Sequence, residues 1–317
     1  MSTHTWLRSG RPSLGARTRH PQSNPHEVRA RSVRTRWILG APLLAFLVLL
    51  VAAPIAYGVW TSLTRRTLSG TDAPFAGLAN YGAVLGDGAF WHSLGFTAAF
   101  TAAVVVLEVP LGFGLALLVN QRLPGHRVLF TALLLPIMVA PSLLGVMFRL
   151  LLNGDIGALP ALLARFGVSV SLFDPSSVVP LLVVLDVLQW TPFTFLILYA
   201  GLQGVPADLY EAAAVDGASY VRTLRSVVAP VMGPVLASAA FLRAIDAFRT
   251  FDVVYVLTGG GPGTSTTTAS IYIYKTAFTD GDFGIASAAS VVLLLLLIGL
   301  VPVVVRRIVG KPGEGRR

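Results

Sequence analysis

The chain has 317 residues, of which 54% are hydrophobic and only 12% charged, and its mean hydropathy is +0.73. A soluble domain cannot hide that much apolar surface, so the composition points to an integral membrane protein. With no cysteine, disulfides and Cys-based metal sites are excluded.

In chain order, residues 1–36 mix Arg, Pro, Ser and His without apolar periodicity and read as a disordered basic tail. Its arginines serve as a topology signal and also suit anionic lipid headgroups. Six apolar stretches follow, at roughly 37–60, 94–119, 128–150, 178–202, 226–246 and 284–305. A spanning helix needs ~20 mostly apolar residues, so the fold class is an all-α polytopic membrane protein with a six-helix domain over 37–305. The first stretch has an uncharged core far longer than the ~7–15 residues of a signal peptide, and it reads as an uncleaved span. A second basic tail, 306–317, closes the chain.

With the N-terminus in the cytoplasm, 17 basic residues fall on the side of both termini and seven on the other. That bias favours both ends inside, and it explains the net charge of +9 without nucleic acid. It also puts the segment 204–230 in the cytoplasm.

Ionisable groups inside a span cost ~2.5–3.5 kcal/mol on insertion scales, so each needs a reason. Glu108 lies within the second stretch, near Pro110, Gly112 and Gly114. Small residues at this spacing permit close helix packing, so Glu108 is expected to pair inside the bundle rather than face a solute. Asp186, Gln189, Trp190 and Phe193 fall at i, i+3, i+4 and i+7 of the fourth stretch. One face thus carries a carboxylate, an amide and two rings, a mixture that suits a polyhydroxylated ligand and equally a packing face. Arg243 and Asp246 are three apart, the spacing of an intrahelical ion pair.

The segment 204–230 is more than a connection. Pro206 is placed to open a helix, Asp208 and Glu211 suit its positive end, and Ala212, Ala213 and Ala214 are the strongest helix formers. Gly217 supplies a left-handed stop, and Ser219 is placed to cap a second helix. In that helix Tyr220, Leu224 and Val227 form an apolar stripe, with Arg222 and Arg225 off it. The pattern predicts two short helices bent at Gly217, their alanine face open either to a partner's groove or to the membrane surface. The "TGGGPGTST" stretch at 258–266 lacks the lysine of a phosphate-binding loop. It reads as a tight external turn.

"EAAAVDGAS" at 211–219, followed by Pro230, resembles the EAA loop of bacterial ABC importer permeases, with Glu211, Ala212, Ala213, Asp216, Gly217, Ala218 and Pro230 in matching places. Leu224 stands where the pattern usually has Phe, and Ala229 where it has Leu. "LQWTPFTFLILYAGLQGVP" (188–206), "FDVVYVLTGGGPGTST" (251–266), "YIYKTAF" (272–278) and "LLLPIMVAPSLLGVMFRLLLN" (133–153) are similar to the sugar-permease branch. The resemblance spans roughly 35–308 and implies a subunit of the bacterial inner membrane that performs no covalent chemistry itself. It implies that Glu211 to Gly217 couple the chain to two cytoplasmic ATPase subunits, which hold the ATP and Mg, while Ala218 and Pro230 help set the loop's geometry. A second, different permease chain and an extracytoplasmic substrate-binding protein are the other implied partners. Gly259, Gly260, Gly261 and Pro262 would face that protein or the outer gate, and the solute would be a sugar or related polyol.

Two rival functions have some footing. An ion-coupled secondary carrier would use Glu108 and Asp186, but such carriers usually show two related halves, and the sequence shows no repeat. An ABC permease for a non-sugar solute differs only in cargo. A membrane enzyme has less support: the five histidines lie outside the depths of the spans, and there is no H-E-x-x-H.

Overall fold

The computed structural model describes residues 25–70, 72–121, 124–167 and 173–309. The predicted tails fall partly outside these residues, at 1–24 and 310–317. The chain divides into two units, one ending at Ala56 and the other beginning at Tyr57.

Helix α1 runs from Pro25 to Ser62, so it starts twelve residues before the predicted span, inside the stretch expected to be disordered. Pro25 sits at its first position, where the missing N–H costs nothing. The Arg- and Ala-rich residues that follow are good helix formers, and a long apolar helix is already nucleated beside them. From 41 to 56 every side chain is exposed. This part of α1 is apolar all round, which suits lipid.

The second unit is helical throughout. Among the described residues there are two isolated β-bridges, Thr64 with Phe75 and Thr67 with Asp282, and no strand. After α2 (Ala79–Gly86) comes α3 (Gly88–Asn120). Asp87 starts α3: its Oδ1 accepts from the Ala89 N–H at 2.8 Å. The short helices α4 (His126–Leu134), α5 (Pro141–Leu151) and α6 (Ala158–Arg165) precede α7 (Val178–Leu202). Next come α8 (Ala207–Val215), α9 (Tyr220–Thr223), a π turn at Leu224–Val228, α10 (Ala229–Val231) and α11 (Gly233–Phe248). Helices α12 (Asp252–Thr258), α13 (Ala269–Phe278) and α14 (Phe283–Val309) complete the unit.

Among the described residues, three helices are long and apolar enough to cross a membrane alone: Gly40–Ser62, Gly88–Asn120 and Val178–Leu202. The predicted spans at 128–150 and 226–246 are not straight. The first bends by 91° between Met138 and Pro141, and the second by 67° between Val231 and Gly233. Pro136 and Pro141 frame the first break, and Pro230, Gly233 and Pro234 the second. Proline withholds an N–H and crowds the preceding turn. The predicted last span lies within α14.

The core is built on α3 and α7. Phe100 and Val104 meet Leu182 and Leu185 in one cluster, and Ala116 and Val119 meet Phe195, Leu198 and Leu202 in another. Gly112 lets the two backbones close up: a Cβ there would lie 3.0 Å from the Phe195 nitrogen and 3.1 Å from Thr194 Cγ2. Helix α11 completes the second cluster through Ala239 and the first through Ala247. Outside the spans, the Tyr272 hydroxyl on α13 donates to Asp87 Oδ2 at 2.6 Å, fastening α13 to the start of α3.

Candidate functional site

Two regions bring together the residues singled out by the sequence. The first is a buried charge cluster where α3, α7 and α11 meet. Arg243 is 1% exposed, Glu108 is fully buried and Asp186 is 5% exposed. The Arg243 guanidinium places Nε 2.5 Å from Glu108 Oε2, while Nη2 donates to Glu108 Oε1 at 3.1 Å and to Asp186 Oδ2. Nη1 donates to Asp246 Oδ2 at 3.2 Å. Three carboxylates from three helices therefore share one cation. The Arg243 Cζ also lies 5.3 Å from the centre of the Trp190 ring, within the range of a cation–π contact.

Glu108 pairs inside the bundle, as its glycine-rich surroundings predict. The expected intrahelical pair Arg243–Asp246 is present, but it is the outermost arm of a larger cluster. Sequence reasoning left out Arg243 as the partner of both Glu108 and Asp186. The signal was available: two carboxylates and one arginine stand in apolar stretches, and buried charges are paired.

The predicted face of α7 divides. Asp186 and Trp190 border a cavity of about 240 Å³ that also touches Arg243, Asp246, Thr250 and Asp252. Gln189 turns inward and its Nε2 donates to the Val139 carbonyl at 3.1 Å, just before α5 begins. A carbonyl freed by a broken helix is thereby satisfied. Phe193 packs edge-to-face with Trp190, ring centres 6.4 Å apart.

The second region is the segment after α7. Pro206 is the N-cap of α8, and Gly217 has φ +67°. The Gly217 N–H donates to the Ala214 carbonyl at 3.1 Å and the Ala218 N–H to the Ala213 carbonyl at 2.9 Å. This pair of bonds is a Schellman stop, which requires the left-handed residue that glycine supplies. Two helices bent at Gly217 are thus observed. Ser219 occupies the N-cap of α9, but its side chain makes no capping bond. The predicted apolar stripe holds only in part: Leu224 and Val227 are half-buried and Tyr220 is exposed, while Val228 is the buried member. The π turn at Leu224–Val228 adds a residue to the turn and rotates the next position inward.

The segment is braced from beneath. Tyr210 and Leu224 pack on the core cluster of Phe195, Leu198 and Leu202, Gln203 Nε2 donates to Asn120 Oδ1 at 2.8 Å, and Gln121 Nε2 donates to the Tyr220 hydroxyl at 3.3 Å. Ala213 faces inward. Glu211, Ala212, Asp216 and Gly217 are exposed, and so is Val215. Pro230 is exposed in α10 and Ala218 is half-buried.

The glycine-rich turn is braced by hydroxyls. Gly259 and Gly260 have φ +62° and +90°. Thr266 Oγ1 donates to the Gly261 carbonyl at 2.8 Å and Thr267 Oγ1 to the Gly260 carbonyl at 3.0 Å. Gly261 and Pro262 border a separate cavity of about 350 Å³ with Arg149 and Asn153.

Comparison with known proteins converges on one kind of protein. The chain is 38% identical over 274 residues to the trehalose/maltose transport system permease protein MalF of Thermococcus litoralis, covering 86% of this chain and 92% of that one. It is 37% identical over 272 residues to the trehalose transport system permease protein SugA of Mycobacterium tuberculosis, covering 86% of each. A chain of the bacterial alginate ABC transporter, solved with an alginate pentasaccharide-bound periplasmic protein, superposes with a TM-score of 0.75 at 19% identity. The superposition covers 89% of this chain and 98% of that one, and it shows a shared fold. Residues 108–311, which hold both the charge cluster and the helical loop, match the family profile, and the chain belongs to the binding-protein-dependent transport system inner membrane components.

Proposed function

We propose that this chain is one membrane-spanning half of an ABC importer that moves a sugar or related polyol inward, driven by ATP hydrolysed on partner subunits. Family membership carries this reading, and the relatives named for trehalose and maltose support a saccharide cargo. Six spans are too few to enclose a wide polar route alone. A companion permease chain, two cytoplasmic ATPase subunits holding ATP and Mg, and an external binding protein complete the assembly. In this reading both termini lie in the cytoplasm, the side that the arginine distribution favours.

In this reading α8 is the coupling element. It is a short rigid rod with its Glu211, Ala212, Val215 and Asp216 surface open, and a docked partner helix groove would grip that surface. ATP-driven closure of the ATPase pair would displace α8 and pull on α7 and α11, which flank it in the chain. Arg243 on α11 is held by Asp186 on α7 and Glu108 on α3. The three helices then tilt together, and the open side of the pathway alternates. The same geometry weakens the carrier alternative, since Arg243 already engages the two carboxylates that would bind a coupling ion.

Co-purification tests the reading. The chain is tagged, expressed with its companion permease and ATPase, and compared with Gly217→Pro, which cannot adopt φ +67°. The wild type is expected to retain the ATPase and the variant to lose it. Retention by both would move the docking site elsewhere. No ATPase with the wild type would return ion coupling to consideration.

A further inference from the structure

Helices α7 and α11 flank the helical loop in the chain, and they are tied at two levels. Far from the loop the tie is a long side chain, Arg243 held by Asp186. Beside the loop it is close contact with a backbone. Gly201, in the last turn of α7, lies so near α11 that a Cβ there would sit 2.7 Å from Val235 Cγ1 and 2.9 Å from Met232 Cε. The two ties are about 22 Å apart along α7 at the usual helical rise. Met232 is also the corner of the bent span. Its N–H donates to the Val228 carbonyl and its carbonyl accepts from the Leu236 N–H, both at 2.8 Å. On the opposite edge Pro234 has no N–H for the carbonyl of Pro230, one turn before it. The bonded edge is buried, Met232 being 1% exposed, and both prolines are exposed. A bend of this kind folds about its bonded edge, and that edge rests on Gly201.

We propose that Gly201 is the fulcrum of the coupling stroke: it seats the Met232 corner against α7, so that a push on the loop turns α7 and α11 together instead of closing the bend in α11. The proposal rests on the importer reading above and adds to it a positioning residue outside the loop itself. Without a seat, displacement of α8 and α10 would be taken up at the unbonded proline edge, and Arg243 at the far end would stay still. Glycine offers the corner a surface with no side chain to yield. The Met232 thioether is flexible enough to keep contact while the corner turns. The same push then becomes a tilt of both spans, and the long arm of α7 carries it to the buried charge cluster. A side chain at 201 would push Met232 and Val235 away and turn a fixed pivot into slack.

The test uses the complex of both permease chains and the ATPase, reconstituted in proteoliposomes with its binding protein. Two quantities are read: labelled trehalose taken up per ATP hydrolysed, and the opening of the bend. For the second, Arg225→Cys and Ser238→Cys, exposed on either side of the bend in a chain with no cysteine of its own, carry spin labels. Their separation is measured by pulsed electron resonance with and without ATP. Gly201→Ala is expected to retain the ATPase and to lower uptake per ATP at least about fivefold, the lower end of usual coupling effects. Its label separation should shift on ATP binding, whereas that of the wild type should not. Adding Val235→Ala, which removes the atom nearest the new methyl group, should restore both readouts. An unchanged ratio, uptake and hydrolysis falling in step, or a bend that moves alike in wild type and variant would each overturn the proposal. Should Gly201→Ala fail to assemble, Met232→Ala empties the seat from the other side and decides by the same readouts. The label pair decides even where trehalose is not carried. A wild-type complex that retains no ATPase sinks the importer reading itself, whereas a coupled wild type with an equally coupled Gly201→Ala sinks the fulcrum alone.

Discussion

The charge cluster and the helical loop are both polar features of a chain that is mostly apolar, yet they are built in opposite ways. At the cluster, Glu108, Asp186 and Arg243 come from three helices up to 135 residues apart and are almost wholly buried. Each is held by long-range partners, and loss of Arg243 would leave two buried carboxylates without their cation. In the loop, order comes from neighbours: Pro206 opens α8, alanines sustain it and Gly217 closes it. Its Glu211, Ala212, Val215 and Asp216 surface is exposed and spends almost nothing on the fold. A transport subunit needs both kinds of polarity, one to lock helices together and one to stay available for a partner. Substitutions in the two regions should therefore separate stability from coupling.

The largest effect is expected at Arg243. Arg243→Met leaves Glu108 and Asp186 buried without their cation, and breaking a buried pair in this way typically costs ~3–5 kcal/mol. Thermal unfolding of the purified complex should show a large loss of stability, or the complex should fail to assemble. The triple variant Glu108→Gln, Asp186→Asn, Arg243→Met removes the charges together and should recover much of that loss. If the single and triple variants were equally damaged, the penalty would come from packing, and the contrast with the loop would weaken.

Gly112→Val comes next. The added side chain would press on the Phe195 nitrogen and Thr194, and overpacking typically costs ~1–3 kcal/mol. The α3–α7 contact should loosen, lowering the melting temperature without changing affinity for the ATPase. A variant as stable as wild type would mean that the two helices have more freedom than their close approach implies.

Tyr272→Phe should cost less, about 1 kcal/mol for one lost hydrogen bond to Asp87. Burial, with the adjacent Asp87 carboxylate, pushes the Tyr272 hydroxyl above its ordinary value. The fold thus favours the neutral hydroxyl, so its contribution is complete below the unfolded value of about 10 and fades as the pH rises beyond it. The stability gap between wild type and variant, read from unfolding at neutral and at strongly alkaline pH, should narrow at the alkaline end. A gap that widened there would reverse the assigned direction.

The same contrast explains what the sequence revealed. The loop was legible almost to the residue because its signals are local: a proline, an alanine run and a glycine at fixed offsets. Even there the π turn escaped, since no residue type announces an extra residue in a turn, and Val228 is more deeply buried than Val227. Apolar length located the helices, but hydropathy carries no direction and prolines also lie inside unbroken α3 and α7, so bends of 91° and 67° were invisible. Glu108, Asp186 and Arg243 each stood out as costly residues. Their convergence depends on the packing of α3, α7 and α11, and a periodicity argument treats each helix by itself. Gln189 stood on a face that suited a solute and packing equally, and it is bonded to a backbone carbonyl freed by the break before α5.

Glu211→Ala should have the smallest effect on the fold and the largest functional effect relative to it. Glu211 is exposed near the middle of α8, makes no ion pair among the described residues, and is replaced by a better helix former. Surface substitutions of this kind usually fall within about 0.5 kcal/mol, so the melting temperature of the complex should hardly move. If α8 is gripped by the ATPase, however, the lost carboxylate leaves a partner's basic group unpaired at the contact. Binding-protein-stimulated ATP hydrolysis and uptake should then drop together while basal hydrolysis by the free ATPase stays unchanged. Charge exchange sharpens the test: Glu211→Lys should be worse than Glu211→Ala, and a compensating acidic residue on the ATPase should restore activity. Full coupling in Glu211→Ala would put the grip on Ala212, Val215 and the bend at Gly217, making the loop's role one of shape rather than charge.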